Sequence, residues 1–201
     1  MKKTTTAKKA TRKPTKKVKT KALKSKSLKA SQTSKSSTSR STFHFKPNYI
    51  LIPLFTFMVS YCGSLFTSSG MEWYATINKP TWTPPGMVIG MVWTAIFILA
   101  TISALRVWNK KYTKAERYNH ILWIMVLFMV NGILNIEWSF LFFYTHNIFA
   151  AFIEAVLLGL SVLALVFVIW PVSRLASALL IPYLGWVTFA SYLTYIVYTM
   201  N

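Results

Sequence analysis

Four residues spaced as one face of a helix, Asn131, Asn135, Trp138 and Phe142, combine carboxamide and aromatic groups. At 3.6 residues per turn they fall within about 40° of one another. Tyr183, Trp186 and Ala190 form a second stripe of the same kind. Amides hydrogen-bond a polar edge and indoles stack on a flat apolar face, so such walls suit a planar, amphiphilic ligand. Asn side chains also bond helix to helix within a membrane. Spacing leaves these two readings open. Glu137 and Glu154 place carboxyls within otherwise apolar segments. Glu137 projects about 120–140° away from the Asn/Trp stripe. For both, structural pairing is favoured over a proton relay, which normally needs more than two sites.

Templates for other chemistry are nearly empty. His44, His120 and His146 are scattered, and none lies in mid-segment as a haem axial ligand should. Cys62 is alone, no Gly-rich phosphate loop is present, and a Ser-His-Asp triad is impossible in a chain without Asp. No metal site and no required cofactor are expected. The abundant groups are the eight Trp, ten Tyr and fourteen Phe. Trp108, Trp123, Trp170 and Tyr198 lie near the ends of apolar segments and fit an interfacial belt. Trp93, Trp138 and Trp186 lie several residues deeper.

The elements that must carry these residues follow from charge and hydropathy. The chain is 54% apolar or aromatic and 13% charged, yet its net charge is +19. The charge is segregated: residues 1–46 hold 16 of the 23 Lys/Arg and no acid. The rest is too poor in charge for a soluble enzyme, since water-soluble domains have about a quarter of their residues charged. Crossing the hydrocarbon takes roughly 20 apolar residues, and only helices or closed barrels satisfy their backbone there. The expected fold is all-α, a bundle of five transmembrane helices at 49–67, 86–108, 117–143, 148–170 and 175–199. Pro47, Pro85 and Pro171 fall at or near helix ends, and Pro182 is expected to kink the fifth helix.

Two domains result: a disordered cationic tail, 1–46, and a membrane domain, 47–201. With five spans the tail shares its side with Arg106, Lys110, Lys111, Lys114, Arg117 and Arg174, while Lys79 stands alone opposite. The bias of cytoplasmic loops toward Lys and Arg predicts a cytoplasmic N-terminus, with the first loop and the C-terminus on the far side. The tail suits anionic lipid first, then nucleic acid read without sequence preference, then a targeting presequence.

The loop between the first two helices is the most distinctive stretch. It runs from Trp73 and Tyr74 through Lys79, Pro80, Trp82, Pro84 and Pro85 to Gly86. Three prolines and three aromatics within it make a stiff cover, suited to serve as a lid over the mouth of a bundle cavity.

These residues resemble the TspO family of tryptophan-rich sensory and translocator proteins. The likeness covers about 48–201: WYATINKPTWTPPG and Trp93, then Asn135 to Phe143 (NIEWSFLFF), Glu154, and IPYLGWVTFASYL from Ile181 to Leu193. The resemblance implies five helices with a folded first loop, a homodimer, and a loop-side cavity for porphyrins such as protoporphyrin IX or related hydrophobic ligands. Matched residue by residue, the pocket is Tyr74, Trp93, Asn131, Asn135, Trp138, Trp186 and Ala190, to which the fifth-helix stripe adds Tyr183. It implies receptor or sensor work in tetrapyrrole homeostasis. The alternatives are light- and oxygen-dependent porphyrin breakdown at Trp93 and Trp186, or transport of porphyrin or lipid. A bacterial cytoplasmic membrane is favoured over an organellar one. The family usually has Gln at the place of Asn131 and an apolar residue at that of Glu137. The animal sterol pattern is not matched, since Tyr195 is present but no Lys or Arg follows Arg174.

Overall fold

The computed structural model describes residues 46–111 and 114–201. All but Lys46 of the cationic tail thus lies outside the described residues. The elements are α1 (Asn48–Ser69), α2 (Met71–Thr76), α3 (Gly86–Asn109), α4 (Lys114–Ser139), α5 (Ile148–Ile169), α6 (Arg174–Ala178) and α7 (Ile181–Met200). A π-helical turn, Phe140–Tyr144, continues α4. No strand occurs among the described residues. Five segments are long and apolar enough to cross a bilayer: Asn48–Ser69, Gly86–Asn109, His120–Tyr144, Ile148–Ile169 and Arg174–Met200.

The central helix is α5, and its sequence shows why. Ala151, Ala155, Leu158, Val162, Leu165 and Ile169 recur every three or four residues and are all buried. This narrow stripe packs against α7 on one side and α4 on the other. The alanines at its start let backbones approach closely, which matters where helix association rests on contact rather than on water exclusion. At its other end Leu165 and Ile169 meet Val107, Ile124, Ala176 and Leu180 in one cluster. The outer faces carry Ile50, Phe57, Trp123, Ile133, Leu160 and Phe167, each at least half exposed. A monomer in water rarely exposes contiguous apolar surface on this scale. Hydrocarbon covers it.

Polar groups on the helices are matched locally. Asn147 Oδ1 accepts from Ala150 N at 3.0 Å and Ser173 Oγ from Ala176 N at 3.3 Å, capping α5 and α6. Thr101 Oγ1 joins α3 to Thr56 of α1 at 3.0 Å, and Ser103 Oγ donates to Ala176 O at 2.7 Å. Lys46 Nζ donates to Asn109 Oδ1 at 3.3 Å, which sets the start of α1 beside the end of α3. This is called the Lys46 end below, and the opposite one the loop end.

Three features depart from the sequence reading. The fifth span is not a single kinked helix. The chain turns at Leu179–Leu180, with Leu180 N bonded to Ser177 O at 3.0 Å, and Pro182 is the second residue of α7. A prolyl ring clashes with the carbonyl four residues back and supplies no N–H, so the chain breaks before it instead of bending around it. The first loop holds a short helix, α2, ahead of its proline segment. The last turn before Thr145 is wound wide: Asn147 N reaches Leu141 O and Thr145 N reaches Phe140 O, both at 3.0 Å. That extra residue per turn aims both Phe142 and Phe143 inward, at 3% and 8% exposure. His146, at φ 57°, then swings the chain into α5.

Gly70 makes the seat for this turn. A Cβ added there would lie 2.1 Å from Phe143 O, a backbone atom that cannot rotate away. Gly70→Ala is therefore expected to destabilise the protein by about 1–3 kcal/mol through overpacking. Thermal unfolding in detergent measures this, and an unchanged midpoint would show that the two segments are not so closely apposed.

Candidate ligand cavity

Among the described residues, two chambers stand out within the bundle. The one at the loop end has a volume of about 430 Å³, within the roughly 300–1,000 Å³ of small-molecule sites. Trp93, Asn135, Trp138, Trp186 and Ala190 line it from α3, α4 and α7, and Tyr74 and Met71 reach it from α2. The second chamber, at the Lys46 end, measures about 650 Å³ and is lined in part by Asn131, Asn135 and Tyr183. Of the eight residues expected at one pocket, six line the loop-end chamber. Asn131 and Tyr183 line only the other.

The amide stripe forms part of the wall between the chambers. Tyr183 Oη donates to Asn131 Oδ1 at 3.1 Å and accepts from Asn135 Nδ2 at 3.3 Å. Asn131 Nδ2 donates to Ser161 Oγ at 2.8 Å, and Ser161 Oγ in turn donates to Leu158 O at 2.7 Å. This chain bonds α4, α5 and α7 together, so the stripe that sequence left open between adhesive and pocket joins the helices and also lines the chambers. Tyr183→Phe would leave one Asn131 acceptor and one Asn135 donor unpartnered. A buried polar atom without a partner costs roughly 1–3 kcal/mol, and the variant's thermal midpoint should fall accordingly. An unaltered midpoint would mean that the hydroxyl bridges nothing of consequence.

The aromatic walls are fixed by mutual contact. Trp138 stacks on Phe142 with centroids 5.2 Å apart and meets Phe143 edge-on at 5.9 Å. Trp93 packs on Phe97 at 5.6 Å and edge-on against Tyr183 at 6.0 Å. Trp186 leans on Phe189 at 5.3 Å. The Nε1 atoms of Trp138 and Trp186 are buried with no hydrogen-bond partner among the described residues. Two residues that line the chamber thus carry unsatisfied indole donors.

The cover is built differently from a simple proline lid. Tyr74 lies against Phe142 and Phe143 at 6.1 and 5.6 Å. Burial pushes its phenol above the ordinary tyrosine range, so it stays a neutral hydroxyl. Lys79 Nζ lies 4.5 Å from the Tyr74 ring centroid and donates to the carbonyls of Tyr74 and Ile77. Trp73 stacks on His146 at 4.2 Å. Trp73, Lys79, Pro80, Trp82, Pro84 and Pro85 are not among the residues lining the chamber. They brace the cover from outside. Thr83 Oγ1 donates to Pro80 O at 2.7 Å, closing a turn. Trp82 stacks on Tyr192 at 5.9 Å. Asn201 fastens the loop to the end of α7: its Oδ1 accepts from Asn78 N at 2.9 Å and its Nδ2 donates to Asn78 O at 3.0 Å.

Sequence reasoning missed the α1 wall, where Ser60, Gly63, Ser64 and Thr67 face the loop-end chamber. Their spacing of three, one and three marks one helical face of small and hydroxyl residues, and that signal was available. It also missed Phe97, which borders both chambers. Among the described residues no cluster of His, Cys, Asp or Glu could hold a metal ion.

Fold and cavity together define an integral membrane protein of five spanning helices around an aromatic-walled interior. A family model described as TspO/MBR family matches residues 50–199. The chain belongs to that family. It is 33% identical to the tryptophan-rich protein TspO of Bacillus cereus over 156 residues, covering 78% of this chain and 98% of that protein. It is 30% identical to the human translocator protein over 144 residues, 70% of this chain and 82% of that protein. A tryptophan-rich sensory protein of Cereibacter sphaeroides is 27% identical over 152 residues, with coverage of 74% and 91%.

Proposed function

We propose that this chain is a membrane receptor for porphyrin-type tetrapyrroles, which it holds in the loop-end chamber. The observation that carries the reading is the wall of three indoles, Trp93, Trp138 and Trp186, around about 430 Å³. A flat macrocycle stacks on such rings, each pair contributing roughly 0.5–1.5 kcal/mol beyond area burial. Its carboxylates or ring nitrogens would supply acceptors for the unpartnered N–H groups of Trp138 and Trp186. The Lys46 end faces the cytoplasm in this reading, because Lys46, Arg106, Lys110 and Lys111 gather there while Lys79 lies at the loop end.

Titrating the full chain in detergent with protoporphyrin IX, followed by Trp fluorescence, tests this. Saturable quenching at micromolar concentration is expected, and its absence sinks the proposal. A second reading, porphyrin breakdown under light and oxygen, draws on Trp93 and Trp186 lining the same chamber. Illumination of the complex in air should then yield protein-dependent product. Trp93→Phe and Trp186→Phe would slow it while largely sparing affinity; normal turnover in both would exclude the indole route.

A further inference from the structure

The chamber at the Lys46 end has a character of its own. Its about 650 Å³ is larger than the loop-end volume and is walled by Leu51, Phe55, Ala100, Met125 and Phe128. From Asn48 to Val59 it follows eleven residues of α1, a rise of roughly 16 Å at 1.5 Å per residue. That is half of a hydrocarbon core about 30 Å thick, the depth of one leaflet's acyl chains. The floor is Asn131, Asn135 and Tyr183, so the space ends blind against the hydrogen-bonded partition.

The mouth is basic. Lys46, Lys110 and Lys111 line it beside Trp108, and no acid is among the described lining residues. Asn48 is only 4% exposed, lines the same chamber, and its Nδ2 has no hydrogen-bond partner among the described residues. An unmatched amide donor on a buried residue of an apolar slot whose lining also includes Lys46 and Lys111 suits an anion carrying a hydrocarbon chain.

We propose that the Lys46-end chamber is a second binding site, for a single-chain anionic amphiphile. Its acyl chain lies along α1 and α4 down to the Asn131–Tyr183–Asn135 partition. Its carboxylate or phosphate rests at the mouth, accepting from Asn48 Nδ2 and neutralised by Lys46 and Lys111. Trp108 sits at headgroup depth, where an amphipathic ring is favoured.

Native mass spectrometry of the full chain in mild detergent tests this with three probes: oleate, oleoyl-lysophosphatidylglycerol and oleyl alcohol. At least one anionic probe should be retained at one per chain, at least tenfold more tightly than the alcohol. Retention of oleate alone identifies the source as a free fatty acid, and of the lysophospholipid alone as a phospholipid. Lys46→Glu with Lys111→Glu should weaken the anion at least tenfold and leave the alcohol as before. Because residues 1–45 carry fifteen further basic groups, a variant that keeps every charge is also needed. Ala100→Phe pushes a ring into the chamber from α3 and should abolish anion retention while protoporphyrin quenching at the loop end persists. Equal retention of alcohol and anions, or anion retention that survives Ala100→Phe, overturns the proposal.

Discussion

Ala190→Trp is expected to abolish porphyrin binding, with an affinity loss of at least about 100-fold, or roughly 2.7 kcal/mol. Ala190 is a half-buried residue of α7 on the loop-end chamber, one turn beyond Trp186. An indole there would enter space of about 430 Å³ that the macrocycle itself must fill. Because the site is a void, the fold has room for the new ring, and the thermal midpoint should be kept or rise. Fluorescence titration of variant against parent reads the effect directly. Saturable quenching of unchanged midpoint in a folded Ala190→Trp protein would place the ligand elsewhere.

The second large effect is one of stability, at Glu154. The residue is 4% exposed on α5, between Ala151 and Ala155 on the most buried face of the bundle. Neither carboxyl oxygen has a hydrogen-bond partner among the described residues. A polar group buried without compensation costs about 1–3 kcal/mol by mutational measures. Glu154→Met keeps the length and adapts to irregular space, so the variant should be more stable by about that amount. Glu154 is not among the residues lining either chamber, so protoporphyrin affinity should not move. Thermal unfolding of the two proteins in one detergent decides the matter. A midpoint that falls would show that the carboxyl is held by a partner within the membrane domain.

The architecture was legible because hydrocarbon imposes one simple rule. Uncharged runs of about 20 residues must be helices, and the expected spans match those found to within three residues at each end. The Asn131–Asn135–Trp138–Phe142 and Trp186–Ala190 stripes were legible too, since helical spacing alone puts such residues on one face. Sequence could not say which side of a partition each residue takes. Asn131 and Asn135 share a face, yet Asn131 lines only the chamber at the Lys46 end while Asn135, one turn on, borders both. The π-helical turn left no mark in FLFFY, because its bond of Thr145 N to Phe140 O joins backbone atoms alone and its seat depends on the room Gly70 leaves for Phe143. The break at Leu179 was misread as a kink because Pro182 fits the second position of a new helix as readily as the middle of a bent one. Local chemistry favours the former, where the missing N–H has no partner to lose.

Phe97 and Asn135 belong to both chambers. Any guest that displaces either side chain therefore alters the free energy of admitting a guest on the other side. Such cooperativity, positive or negative, obeys thermodynamic reciprocity: the factor by which a tetrapyrrole changes amphiphile affinity equals the factor by which the amphiphile changes tetrapyrrole affinity. Crossed titrations in which both factors equal one would mean the two compartments do not communicate through this pair. Equal factors other than one would make the bundle a coincidence detector, in which occupancy of one compartment sets the affinity of the other.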